Sequence, residues 1–556
     1  MERSVQEFDA LKSVRVIDPR IARESQVVQI VNDGPSSTTF QTVSPPDPTS
    51  QSPSFVIQTP SPMAGINRNM RLRAAGFLTI TGTNLAPFAS AANDFAALRQ
   101  FPLQSCMQSL TVQINDWTAS LGSLFQYIAP LANTSNASIS MGQSQSTFPA
   151  QPDRFATYAG EAASPGGAFA SVANLPYGDG IAGGRINQIV RGEVNAGGTV
   201  MVISFDISED LVISPFTYDN NDKKALYGIS TLTINVNYGN FHRMLSLAVG
   251  GATAAATFSS VTCNFLKQDL AVTYVVAHDS SLIEIPRKHI YEYSSVQAYT
   301  TQGTAFSTYV GALTPPSQSV FSNAIEFAVV PQKLIVFGTY SLLDLQDPTK
   351  SLPDLYFPIS GVSITFGTRA GLLSGASSVN LWEIYRRNGG KLPFPIWNGN
   401  NLPQYTLAPA PATLTSNFCY SGGPLILDTA ADLSLPDGVV PGMSQRIQFS
   451  INCTLTNKTQ VDYSASGIRL VVIAITPGMI AIKDGASMGT LGGITTADAM
   501  TSEIAGLETT ELLDADKATS GWSGGSVVAG RLKAHQFQKK AGALIGGVNM
   551  GGVNMG

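Results

Sequence analysis

The chain is expected to be all-β, built as two tandem antiparallel sandwiches with short helices and long loop insertions. Three observations carry that expectation. Apolar runs of strand length recur between about residues 66 and 480, punctuated by Gly, Pro and Asn. No helix regularly follows a strand, which disfavours a doubly wound or barrel scaffold. The length, 556 residues, is too great for one core, so two or more domains are expected.

Residues 1–65 read as an arm. Pro45, Pro46, Pro48, Pro53, Pro60 and Pro62 interrupt a Ser/Thr/Gln-rich stretch that is not expected to hold regular structure. Within it, residues 25–30 (SQVVQI) could add a short strand to a neighbour, so an arm that orders on assembly is preferred over a free tail. The first strand-rich half, 66–280, holds candidate strands at 77–81 (FLTIT), 110–114 (LTVQI), 200–207 (VMVISFDI), 231–236 (TLTINV) and 270–276. In 231–236, Leu232, Ile234 and Val236 alternate with Thr231, Thr233 and Asn235, which gives one dry face and one wet face. The second half, 281–480, holds 328–337, 362–366, 446–453 and 468–475. Internal identity between the halves is too weak to establish a repeat, so duplication rests on layout alone.

Helices are few. Residues 117–128 form one candidate, weakened by Gly122. Residues 374–386 form a second, with Val379, Trp382 and Tyr385 or Arg386 near helical spacing. A third, 496–513, could be capped by Thr496. It opens a C-terminal region, 481–556, of helical and then Gly-rich basic character. Glu503, Glu508, Glu511 and Asp514 precede a Gly/Ser hinge at 521–530, and Arg531, Lys533, His535, Lys539 and Lys540 follow. The chain closes on GGVNM at 546–550 repeated at 551–555, a flexible end without chemistry.

Composition narrows the function. Charged residues make up 13% of the chain, against roughly 25% in ordinary domains. A surface so neutral and polar repels its own copies weakly and suits a protein that packs against itself. The net charge of -5 excludes bulk attraction to nucleic acid for the body of the chain, and 44% hydrophobic content excludes general disorder. Cys106, Cys263, Cys419 and Cys453 form no CxxC pair and read as buried thiols. The N-terminal residues do not read as a signal peptide, and no apolar run is long enough to span a bilayer. Asn133, Asn136, Asn452 and Asn457 therefore read as chance sequons.

Catalytic material is sparse, and no enzyme, cofactor or metal site is expected. His242, His278, His289 and His535 form no metal-binding spacing. His278, Asp279 and Ser280 are adjacent, and adjacent strand residues point apart, so they make no triad. The Gly-rich stretch 166–184 lacks the lysine of a phosphate loop. Glu209 with Asp210, and Asp344 with Asp347, read as solvated carboxylates.

Four blocks of sequence bear a resemblance. Residues 98–103 (LRQFPL) lead into 110–116 (LTVQIND). Residues 213–216 (ISPF) are followed by 225–229 (ALYGI) and a strand to Tyr238 and Gly239. Residues 330–334 (VPQKL) run through 357–359 (FPI) and 364–366 (ITF) to 371–374 (GLLS) and 381–385 (LWEIY). The last block joins 470–473 (LVVI), Gly478, Asp484, Gly485 and 493–495 (GIT). In order and spacing these resemble the double jelly-roll major capsid proteins of adenovirus-related, polinton-like and giant-virus-related particles. Residues 475–483 (ITPGMIAIK) depart from the family's aromatic or acidic tendency at that turn.

The resemblance implies two tandem eight-stranded jelly rolls per subunit. Three subunits would form a pseudo-hexagonal trimer that tiles an icosahedral virion shell, assembled inside the host cell. The insert at 133–184 would form outward towers or trimer-locking loops. Implied partners are sister subunits, neighbouring capsomers, minor capsid or penton proteins, and an internal membrane or the genome through Arg531, Lys533, Lys539 and Lys540. Trp117, Phe125, Tyr127, Trp382 and Tyr385 are the candidate interface aromatics, although aromatics serve cores equally well. The rival reading is a strand-rich receptor- or carbohydrate-binding spike or vertex protein, which would show exposed aromatics arranged as a sugar platform.

Overall fold

Alternation along 231–236 is realised as strand structure: Leu232, Ile234 and Val236 are buried and the residues between them face outward. The same rule, repeated, builds two sandwiches. The computed structural model describes residues 37–492, apart from 123–191, shorter segments at 60–63, 87–94, 217–224, 249–256, 277–287, 307–314, 406–413, 436–438 and 459–466, and positions 100, 305, 348, 350, 351, 353, 420 and 484.

The first unit contains β1 (Ser37–Val43), β2 (Ser54–Gln58), β3 (Ala64–Ile66), β4 (Arg71–Thr83), β5 (Phe95–Leu98) and β6 (Met107–Ile114). It continues with β7 (Trp117–Gly122), β8 (Glu193–Val194), β9 (Val200–Asp210), β10 (Thr231–Tyr238), β11 (Leu245–Ala248) and β12 (Thr257–Val276). One sheet has the order β1-β12-β4-β9-β8, with β3 also on β12, and the sheet facing it is β2-β10-β6-β7. Strands β5 and β11 form a separate ribbon.

The second unit contains β13 (Lys288–Gln302), β14 (Ser317–Phe321), β15 (Ile325–Phe327), β16 (Lys333–Tyr340), β17 (Ile359–Phe366) and β18 (Arg369–Leu372). It ends with β19 (Asn401–Tyr405), β20 (Leu414–Cys419), β21 (Leu425–Asp428), β22 (Ile447–Thr456), β23 (Ile468–Lys483) and β24 (Ala486–Leu491). Its sheets are β13-β23-β16-β21, with β24 on β23, and β14-β22-β17-β18, with β15 on β22.

With the short accessory strands set aside, each unit has eight principal strands. Numbered one to eight within its own unit, each gives the sheets 1-8-3-6 and 2-7-4-5. That order is the jelly roll, and it occurs twice. The duplication that layout only suggested is therefore carried by topology. Each sandwich closes on its own core: Phe55, Leu78, Val112, Ile203 and Ile234 in the first, and Leu334, Phe357, Ile364, Phe449 and Val472 in the second.

Three expectations are corrected. The arm does not extend to residue 65, because β1 and β2 lie within it and Phe55 and Ile57 are core residues. Pro45, Pro46, Pro48 and Pro53 sit between the two strands and end them without displacing either. The expected helix at 117–128 begins as β7, paired with β6 from Trp117↔Ile114 to Gly122↔Ser109. The hairpin turn places Asn115 at φ 48, a left-handed conformation that Asn tolerates better than most residues. The second sandwich does not stop at 480: β23 runs to Lys483 and folds back as β24. Residues 25–30, 166–184, 278–280 and 496–513 lie outside the described residues.

The helix expected at 374–386 is Ser378–Arg387, capped by Ser377, whose hydroxyl accepts the N–H of Asn380 at 3.3 Å. Its buried face is Leu381 and Tyr385, one turn apart, whereas Val379 is exposed.

Candidate functional site

The two jelly rolls meet along a seam, held by polar and aromatic contacts between residues far apart in sequence. At one end, Trp117 of β7 stands edge-on to Tyr293 of β13, with ring centroids 4.8 Å apart and planes at 81°. Beside it, the Ser487 hydroxyl donates to the carbonyl of Ile114 and accepts the N–H groups of Asp116 (3.1 Å) and Trp117 (2.9 Å). A serine of β24 thus completes the turn between β6 and β7. Gly489 lies against the indole, and a Cβ there would enter the ring.

Next along the seam, the Tyr291 hydroxyl donates to the Tyr227 carbonyl (3.1 Å) and accepts its N–H (2.5 Å). Tyr227, His289 and Tyr291 stack in sequence, and the Arg68 guanidinium lies over Tyr291. Burial pushes the Tyr291 phenol well up, so it stays a neutral donor, and pushes the His289 imidazole down. The Ser294 N–H donates to the Ser214 hydroxyl at 2.7 Å.

Further on, a dry patch formed by Ile335, Phe337, Tyr356, Val471, Ile473 and Ile475 covers the outer face of the β13-β23-β16 sheet. At the far end, Arg99 and Arg243 of the first unit share Asp354 of the second, and both donate to the Leu352 carbonyl, at 2.6 and 3.1 Å. His242 Nε2 meets the Leu345 carbonyl at 2.9 Å. Burial lowers the His242 pKa to about 4, so at neutral pH the ring is uncharged and Nε2–H donates.

The candidate aromatics fall differently from expectation. Trp117 is an interface residue, but within one chain. Tyr385 has no exposure and belongs to the second core; its hydroxyl accepts the N–H groups of Lys391 and Leu392, both at 3.1 Å. Trp382 packs on Phe394, lies under Arg386, and donates from Nε1 to the Leu392 carbonyl. Tyr385 is corrected to a core residue, whereas Trp382 is half-buried against the same core, on the helix that lies between β18 and β21. Phe125, Tyr127, Arg531, Lys533, Lys539 and Lys540 lie outside the described residues.

The acidic pairs are corrected in part: Glu209, Asp210 and Asp344 are buried, whereas Asp347 keeps partial exposure. Glu209 is fully buried and accepts from the backbone N–H groups of Leu103 (2.7 Å) and Gln104 (3.1 Å) and from the Gln104 amide. Burial outweighs these donors and raises its pKa to about 7; the same cause raises Asp210, paired with Arg71, to about 6. Asp344 is buried and accepts from the Ser341 hydroxyl. Among the described residues no group of three or more His, Cys, Asp or Glu side chains is placed to hold a metal ion.

Sequence reasoning missed the seam's most important strand. β13 reads KHIYEYSSVQAYTTQ, and its Tyr and Val residues are good strand formers hidden among Ser, Thr and Gln. Tyr291 packs with the first core and Tyr299 with the second, so no single alternation runs its length.

Comparison with known proteins agrees with this geometry. Residues 9–276 match the family model for the first domain of the Sputnik virophage major capsid protein, and residues 296–478 match the C-terminal domain model of major capsid protein V20. Matched in chain order, the two models describe successive halves of one kind of protein, and the chain belongs to the double jelly-roll major capsid proteins. As such it is a virion protein whose trimers tile an icosahedral shell. It is similar to the putative capsid protein V20 of Sputnik virophage, at 24% identity over 519 residues, 89% of this chain and 82% of that protein. A chain of the Sputnik virophage cryo-EM structure shares the fold with a TM-score of 0.71 at 22% identity, covering 90% of this chain and 98% of that one. The mavirus major capsid protein crystal structure does so at 0.67 and 16%, covering 88% and 98%.

Proposed function

We propose that the seam makes one chain a rigid third of a six-sandwich building block, and that the role is structural, without catalysis. What supports this reading is the repetition of one strand order in two units fastened at both ends, by Trp117 with Ser487 and by Arg99 and Arg243 with Asp354. Three such chains supply six similar pillars, enough for a pseudo-hexagonal outline that packs edge to edge without gaps. Electron microscopy of the purified chain, with its mass measured by light scattering, tests this. Threefold particles with six lobes are expected; a monodisperse monomer at high concentration would sink the reading.

Neighbouring trimers then meet through the weakly charged flanks, and minor capsid or penton proteins occupy the vertices. The basic segment of Arg531, Lys533, Lys539 and Lys540 faces the particle interior and meets an anionic layer, membrane or genome. Removing residues 521–556 should leave trimers intact and abolish co-sedimentation with both anionic vesicles and nucleic acid. Unchanged co-sedimentation would refute the role given to the tail.

A further inference from the structure

The outer face of the β13-β23-β16 sheet in the second sandwich is sealed by its own chain: Ile335, Phe337, Val471, Ile473 and Ile475 are 0–4% exposed. Ala119, Ser120, Leu121 and residues 212–214 of the first sandwich line a cleft with Tyr293–Val296 of β13 at the rim of that face. Edge strand β7 and the segment after β9 thus stand against the face of the next sandwich. This contact is head-to-tail: an edge of one unit meets a face of the other.

The matching face of the first sandwich, on β1-β12-β4-β9, has no such cover among the described residues. In register, Phe77 stands between Asn264 and Ser204, and Thr79 stands between Thr262 and Val202. Leu266 occupies the bulge beside Ala75. Phe77 is 38% and Leu266 60% exposed, among half-buried Ala75, Thr79, Thr81, Val200 and Val202. Single exposed apolar residues are ordinary, but two together on a smooth Thr/Val/Ala face, equivalent to a face sealed elsewhere in the chain, mark an interface.

Topology says what would seal it. The elements of the second sandwich that correspond to β7 and the segment after β9 are β18 and residues 429–446. β18 is largely exposed and begins with exposed Arg369; Val440 is also exposed. The open face carries exposed Asp206, opposite Ala75, as a partner for Arg369, together with exposed Arg73 and Lys267, so its charge is mixed and the pairing is local to Asp206. A head-to-tail contact made once inside the chain closes into a ring when it is repeated between copies with a rotation of about 60°, as the trimer reading requires.

Resting on the trimer reading above, we propose that the Phe77–Leu266 face is the seat for the second sandwich of a neighbouring copy. It is met by that copy's β18 and 429–446 segment, in a repeat of the internal seam.

The test compares the double variant Phe77→Asp, Leu266→Asp with the unsubstituted chain by analytical ultracentrifugation over a concentration series. The expected result is a trimer whose dissociation midpoint rises by about 100-fold or more in the variant. Val56→Asp and Phe321→Asp, at exposed apolar positions on the other sheets, should leave the midpoint unchanged. Should the double variant fail to fold by circular dichroism, Leu266→Cys with Val440→Cys carries the test, since a short bismaleimide should then join separate copies. Intact trimers in a folded double variant, or trimers without cross-links in the cysteine variant, would overturn the face assignment alone. An unsubstituted chain that stays monomeric throughout would overturn the trimer reading and this inference with it.

Discussion

The sheet formed by β4 and β12 and the sheet formed by β16 and β23 occupy the same place in their two sandwiches, yet their burial differs. Along β23 every residue from Ile468 to Ile475 is buried. Along β4 burial alternates, with Leu72, Ala74, Leu78 and Ile80 inside and Arg73 and Phe77 exposed. A continuous apolar run signals a strand dry on both faces, and an alternating one a strand dry on one. The second sandwich therefore has its outer face committed inside the chain, while the first keeps its own available. Two copies of one fold have been specialised by what lies outside the core, without a change in strand order.

The sharpest way to break that contrast is to place one charge on each face. Ile473→Asp puts a carboxylate into a fully buried, largely apolar patch, and should cost the isolated chain about 4 kcal/mol or more. Phe77→Asp, at a partly exposed position, should cost the isolated chain less than about 1 kcal/mol. Denaturant unfolding at concentrations where the chain is monomeric measures both. Equal losses would mean that the two faces do not differ in kind.

Trp117→Ala addresses the seam. It removes the edge-to-face contact with Tyr293 and leaves a gap beside Gly489, at a cost of about 2–3 kcal/mol. Hydrogen exchange gives the more specific readout. The Tyr227 amide is held by the Tyr291 hydroxyl across the seam, so its protection should fall together with the stability. Retained protection at Tyr227 would show that the two sandwiches are fastened mainly at the Asp354 end.

Much of this contrast was legible in the sequence. Leu232, Ile234 and Val236 announce their strand by period two, and 468–475 was legible as a strand, although Arg469 within it hid that both its faces are dry. The charge deficit, 13% of residues, already favoured self-association over catalysis. What stayed hidden has physical causes. β1 and β2 lie among prolines that end strands, and local rules cannot tell an ending from an absence. β7 follows a tight turn at Asn115, and Trp117 to Gly122 carry too few β-branched residues to declare a strand. Glu209 reads as a surface acid because its solvation depends on the N–H groups of Leu103 and Gln104, over a hundred residues away in sequence.

That buried acid supplies a pH contrast between the first core and the seam. Glu209, raised to about 7, contributes stability that is full below 4.5 and lost as pH rises through 7. His242, lowered to about 4, has the opposite sign: its contribution is full above 6.5 and lost as pH falls toward 4. Between about pH 4.5 and 6.5 the two oppose each other, but Asp210, raised to about 6 by the same burial, adds to Glu209, so the unsubstituted chain should still lose stability as pH rises through that range. Glu209→Gln removes one of them. The stability difference between the unsubstituted chain and this variant should be larger at pH 5 than at pH 8 by about 2 kcal/mol. A pH-independent difference would place Glu209 as an anion throughout.

The smallest effect separates core from interface for the helix Ser378–Arg387. Tyr385 has its ring against Gly390 and its hydroxyl on two backbone N–H groups, so Tyr385→Phe keeps the packing and strands those donors. The expected loss is about 1 kcal/mol in unfolding free energy, confined to the second sandwich. Trimer dissociation should not move, because the hydroxyl faces only its own chain. If the midpoint of trimer dissociation shifts while unfolding does not, the helix meets a neighbouring copy and the correction of Tyr385 to a core residue fails. Since the ring is already sealed within one chain, only a rearrangement on assembly could produce that result, and hydrogen exchange at the Lys391 and Leu392 amides, compared above and below the trimer midpoint, would report it.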